Sequence, residues 1–75
     1  MSIPTNTPLG PEQLGALAKE VRGSDSQSKA AERIGVTQSQ VSQAESGASR
    51  YVSTAIKLIE TYTGRTVEGP VYVIR

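Results

Sequence analysis

The chain has 75 residues, a net charge of +1 from eight basic and seven acidic side chains, and no Cys, His, Phe or Trp. That length supports one small domain, with a core drawn from Ala, Val, Ile, Leu and Tyr. The composition excludes disulfides and thiolate or imidazole metal sites, and no apolar run approaches the roughly 18 residues that span a bilayer.

Residues 1–10, MSIPTNTPLG, combine two prolines with small polar side chains and read as a flexible N-terminal arm. The arm has neither the basic start nor the apolar stretch of a secretory signal, so a cytoplasmic location is expected. Pro11 suits the first turn of a helix, where its missing N–H is not needed. From there Leu14, Leu17, Ala18 and Val21 recur at three- and four-residue steps as one apolar stripe, and Gly23 ends the helix.

Ser24 to Ser26 can cap a second helix over Gln27 to Ile34, with Ala30, Ala31 and Ile34 inward. Gly35 is its C-terminal cap and Val36 plugs the following turn. Thr37 with Gln40 three residues later is a capping-box pattern, which starts a third helix at Thr37. That helix runs to about Ser46, with Val41 and Ala44 inward, and Gly47 stops it. A fourth helix over about Val52 to Thr63 turns Val52, Ala55, Ile56, Ile59 and Tyr62 inward, and Gly64 closes it.

Residues 65–75 change character. Val71, Tyr72, Val73 and Ile74 follow the Gly69-Pro70 break and read as a strand. A lone strand leaves its backbone groups unpaired. Either Thr66 to Glu68 folds back on it, or it pairs with the same strand of a second copy. The second arrangement is the preferred expectation, because a two-fold ribbon would enlarge a small core; Val71, Tyr72, Val73 and Ile74 are then dimerisation residues.

The third helix carries the chemistry. With Val41 and Ala44 inward, Gln38, Ser39, Ser42 and Gln43 remain on its outer face, and Thr37 leads it. Glutamine offers a donor and an acceptor together, matching the N6 and N7 edge of adenine in the major groove. Serine and threonine hydroxyls fit a base edge or a phosphate. An outer face of amides and hydroxyls with no charge before Glu45 suits groove reading; the bland alternative is a polar, solvated helix. Gln27, opening the second helix, and Arg50, following the third, are placed to touch backbone phosphates. Lys29 and Arg33 are expected to pair with Glu32 or Asp25 on the helix surface. Glu45, which phosphates would repel, reads as a structural partner of Arg50 or a plain helix residue. Alanine, glycine and valine at positions 31, 35 and 41 have the spacing of a helix-turn-helix.

The segment QSKAAERIGVTQSQVSQAESGASR resembles the helix-turn-helix of the Cro/cI-type repressors, a large family of phage, plasmid and bacterial regulators. It is especially similar to the Cro members in its Gln27-x-Lys29-x-Ala31 opening, its Ile34-Gly35-Val36 turn and its Gln38-Ser39 pair. The match covers about 24 of the 75 residues. The resemblance implies a mainly α, four-helix Cro/cI-like domain over residues 11–64. It also implies phosphate contact by Gln27, adenine recognition by Gln38 beside Ser39, and base contacts by Ser42 and Gln43. Family members usually bind a near-palindromic double-stranded DNA operator as homodimers. The chain departs from the Cro pattern after Arg50, with a longer fourth helix, a terminal strand and no basic tail.

The expected function is therefore sequence-specific transcriptional regulation, most simply repression by occupying a promoter. Whether RNA polymerase is contacted is not readable from the sequence. An enzyme lacks parts: there is no His or Cys, and the carboxylates are scattered, so no cofactor or metal is expected. An antitoxin-like autoregulator would need a toxin-binding segment, for which only the arm and the tail are available. An architectural or recombination accessory factor would favour apolar wedges and minor-groove arginines, which the third helix lacks.

Overall fold

The computed structural model describes residues 3–69 and 72–75. Four helices, α1 (Pro11–Arg22), α2 (Gln27–Ile34), α3 (Gln38–Glu45) and α4 (Val52–Thr63), are followed by strands β1 (Val67–Glu68) and β2 (Val73–Ile74). A short 3-10 turn, Ser49–Tyr51, leads into α4.

Local chemistry sets the helix boundaries. Pro11 occupies the first turn of α1, and the Gln13 side chain accepts the Gly10 N–H at 2.7 Å. Ser26 accepts the Lys29 N–H at 3.1 Å to start α2. Thr37 and Gln40 form the reciprocal cap of α3: the Gln40 N–H donates to the Thr37 hydroxyl at 3.1 Å, and the Thr37 N–H to the Gln40 side chain at 2.9 Å. Each such cap is worth about 1 kcal/mol. Thr37 is thus the cap, and the helix proper begins at Gln38.

The core gathers Leu14, Leu17 and Ala18 of α1, Ala30, Ala31 and Ile34 of α2, Val41 and Ala44 of α3, Ala55, Leu58 and Ile59 of α4, and Ile74. On α4 the buried stripe is rotated from the expected one. Leu58 is fully buried, whereas Val52, Ile56 and Tyr62 are half-buried. Helix α1 packs on α3 and α4, and Gly15 is what lets α3 come close. A Cβ there would collide with the Ala44 carbonyl and lie 3.0 Å from both the Glu45 oxygen and the Gly47 nitrogen.

The tail corrects the preferred expectation. β2 pairs within the chain, antiparallel to β1, with Val67 opposite Ile74 and Glu68 opposite Val73. The other edge of β2 is also taken: the Asn6 N–H donates to the Ile74 carbonyl at 3.0 Å and the Leu9 N–H to the Tyr72 carbonyl at 2.9 Å. On β1 the Val67 N–H donates to the Glu60 carboxylate at 3.0 Å. The physical reason is proximity. β1 follows α4 after Gly64-Arg65-Thr66, so a hairpin satisfies the strand without a partner.

Of the residues assigned to dimer pairing, Ile74 is fully buried in its own core and Tyr72 and Val73 are half-buried. Val71 lies outside the described residues. The N-terminal segment lies along β2, with Ile3 and Leu9 packed against the core and the Arg75 guanidinium donating to the Asn6 side-chain oxygen at 2.7 Å.

Candidate nucleic-acid interface

Helices α2 and α3 meet through a three-residue turn whose geometry depends on Gly35. Its φ of +75° lies in the left-handed region, and its N–H donates to the Ala31 carbonyl. An added Cβ would meet nothing within 4 Å, so the requirement there is conformational and not one of space. The Val36 N–H donates to the same carbonyl at 3.0 Å, and Val36 packs against the core.

With Val41 and Ala44 buried, α3 presents Gln38, Ser39, Ser42 and Gln43 as exposed side chains, with Thr37 exposed at its leading end. All five side chains are exposed, Thr37 as the cap of α3 and the other four on the helix itself. Arg50 is exposed in the 3-10 turn that packs against α3. Lys29 and Arg33 are exposed on α2, and Arg33 pairs with Asp25 at 3.5 Å.

Gln27 is half-buried at the start of α2, with its amide donating to a Glu45 carboxylate oxygen at 3.0 Å. One amide hydrogen is thereby committed inside the protein, and the second remains for an outside acceptor. The expected Arg50 partner for Glu45 is corrected to Arg22 of α1. The Arg22 guanidinium donates through Nε to Glu45 and through its terminal nitrogen at 3.1 Å, while its other terminal nitrogen bonds the Asp25 carbonyl at 2.7 Å. The Glu45 side chain is 4 % exposed, so α3 ends in a shielded and neutralised carboxylate. Hydrogen bonding to Glu45 raises the Arg22 pKa despite the opposing effect of burial.

A second cluster holds the same end of the molecule. The Tyr62 hydroxyl of α4 donates to Asp25 at 2.7 Å, and the Arg33 guanidinium lies 5.0 Å from the Tyr62 ring centroid. The Tyr62 hydrogen bond holds the Asp25 carboxyl below its ordinary value. Burial first, and that bond second, push the Tyr62 hydroxyl up. Together the clusters tie α1, α2, α3 and α4 behind the exposed face.

Ser28, in the second position of α2, was not singled out by sequence. Its hydroxyl donates to the Gln38 side-chain oxygen at 2.9 Å. The polar roles of Arg22 and Tyr62 are also not given by the sequence pattern, which places Tyr62 in the core stripe of the fourth helix and assigns Arg22 no role. Among the described residues no group of three or more His, Cys, Asp or Glu could hold a metal ion, and no helix is long and apolar enough to cross a membrane. No family model matches the chain, and no curated protein matches it.

Proposed function

We propose that the protein is a sequence-specific DNA-binding transcriptional regulator of Cro-like type, a repressor that acts as a homodimer on a near-palindromic operator. The observation that carries this reading is the α2–turn–α3 unit. A helix with a reciprocal N-terminal cap, tied to α1 and α2 through Glu45, carries Gln38, Ser39, Ser42 and Gln43 exposed, with Thr37 exposed as its cap. In a major groove, Gln38 would read adenine through its paired donor and acceptor, and the hydroxyls would reach base edges or phosphates.

The free hydrogen of the Gln27 amide and the exposed Arg50 guanidinium would hold phosphates, fixing register without reading sequence. The neutralised Glu45 removes the repulsion that a bare carboxylate would exert on the backbone. A dimer would set two such helices about 34 Å apart, one turn of DNA. Its contact would use a surface other than the β2 backbone, which is bonded on both edges over Tyr72 to Ile74.

The test is selection of bound duplexes from a random pool by the purified protein at about 0.15 M salt. Enrichment of an inverted repeat is expected. A folded protein that enriches no sequence would refute the reading.

A further inference from the structure

We infer that residues 3–9 are an edge guard: by occupying the outer edge of β2 they keep it from pairing antiparallel with β2 of a second copy. Only the hairpin and the N-terminal segment are involved, so the outcome does not depend on whether α3 reads DNA.

The direction of the backbone groups identifies the edge. The Arg75 N–H donates to the Thr66 carbonyl at 2.8 Å, and Glu68 lies opposite Val73. Val73 and Arg75 therefore bond toward β1, and the backbone groups of Tyr72 and Ile74 face the other way. On that side the Asn6 and Leu9 N–H groups reach the Ile74 and Tyr72 carbonyls at 3.0 and 2.9 Å. Among the described residues no carbonyl of the N-terminal segment accepts an N–H of β2 in return. The segment thus serves the acceptors of this edge and leaves its donors. A second β2, antiparallel about a two-fold axis at Val73, would serve both: Tyr72 of each copy would exchange N–H and C=O with Ile74 of the other.

The segment is built to cover the edge without extending the sheet. Pro4 and Pro8 flank Asn6 and carry no N–H, so the segment presents no regular ladder of its own. Asn6, with a φ of +56°, sits in the left-handed region and bends the segment away from strand geometry. Side chains latch it in place. The Arg75 guanidinium bonds the Asn6 oxygen at 2.7 Å and the Glu68 carboxylate at 3.2 Å, and Ile3 and Leu9 pack against the core. Lifting the segment would uncover the strand edge together with the apolar surface under Ile3 and Leu9. An identical edge is the self-complementary occupant, because each copy brings both the donors and the acceptors.

The experiment is sedimentation equilibrium over a range of concentrations for wild type, a deletion of residues 3–9, and Asn6→Pro. Asn6→Pro keeps Ile3 and Leu9 but removes the N–H bonded to Ile74. It also imposes a φ of about −65° where the chain adopts a positive one. Wild type supplies the reference mass. Both variants are expected to double that mass as concentration rises, with exchange of the Ile74 amide slowing in step. A peptide of residues 3–9 at about 5 mM, the order of the effective concentration a short tether supplies, should return the deletion variant to the reference mass.

A variant that is folded by its amide spectrum and holds the wild-type mass throughout would overturn the inference. So would association that leaves Ile74 exchange unchanged, since the contact would then lie elsewhere. A peptide without effect would contradict competition for one edge. If the deletion unfolds, Asn6→Pro decides by the same criteria.

Discussion

The outer face of α3 and the C-terminal hairpin are both short, polar-edged segments, and they treat their polar groups in opposite ways. In the hairpin the backbone bonds inward: β2 is flanked by β1 on one side and by Asn6 and Leu9 on the other, and Glu60 caps Val67. On α3 the polar side chains at positions 38, 39, 42 and 43 stand exposed while the helix beneath them is capped and braced. Polar groups bonded inside the chain hold the fold. Polar groups gathered on a rigid element and left facing solvent are available to a partner.

That contrast is broken most forcefully at Ile74. Ile74→Ala removes a fully buried side chain and should cost about 2–5 kcal/mol of stability, with Ile74→Val a milder version at about 0.5–1.5 kcal/mol. Denaturant unfolding of either variant should give a midpoint shift independent of protein concentration. A shift that grows on dilution would mean that the tail works between chains.

The support behind α3 comes next. Glu45→Ala should destabilise by about 3 kcal/mol, because it leaves the Arg22 guanidinium largely buried without its partner. Glu45→Gln, which keeps hydrogen-bonding capacity, should be milder. Equal stability of wild type and Glu45→Ala by urea titration would remove the ion pair from the account.

Gly15→Ala separates helix propensity from packing. Propensity alone favours alanine by about 1 kcal/mol. The clash with the Ala44 carbonyl predicts net destabilisation of about 1–3 kcal/mol instead. A rise in melting temperature would show that α3 does not approach α1 as described.

The smallest effect is at Tyr62, where Tyr62→Phe should cost about 1 kcal/mol at neutral pH. Folding lowers the Asp25 pKa, so its contribution is present above the ordinary carboxylate range near 4 and fades as pH falls through the lowered folded value. Folding raises the Tyr62 pKa, so its contribution is present below about 10 and fades as pH rises toward the raised value. Tyr62→Phe should flatten both limbs of the stability profile. A variant with the wild-type profile would show that the bond carries no proton linkage.

Legibility in the sequence followed the range of the interaction. Ser26 and the Thr37/Gln40 box were readable because a cap needs only residues three apart. Gly35 was readable because a helix ending between two apolar residues calls for a left-handed position. The outward set on α3 followed from the period of Val41 and Ala44. The Arg22–Glu45 and Asp25–Tyr62 bonds were not readable, since their partners lie 23 and 37 residues apart and no local pattern links them. Leu58 was missed because α4 carries apolar residues on more than one side, and periodicity does not say which side meets the core. The strand at Val73 and Ile74 was visible, but its choice of partner depended on how α4 ends and where residues 6–9 run.

The most direct test of the exposed face is an NMR titration of isotopically labelled protein with a short mixed-sequence duplex at about 50 mM salt, where phosphate contacts are strong enough to report. The account predicts amide shifts concentrated at Gln27, Ser28, residues 37–43 and Arg50, with β1, β2 and Arg75 unmoved. Shifts confined to the hairpin or the N-terminal segment, with α3 silent, would contradict it.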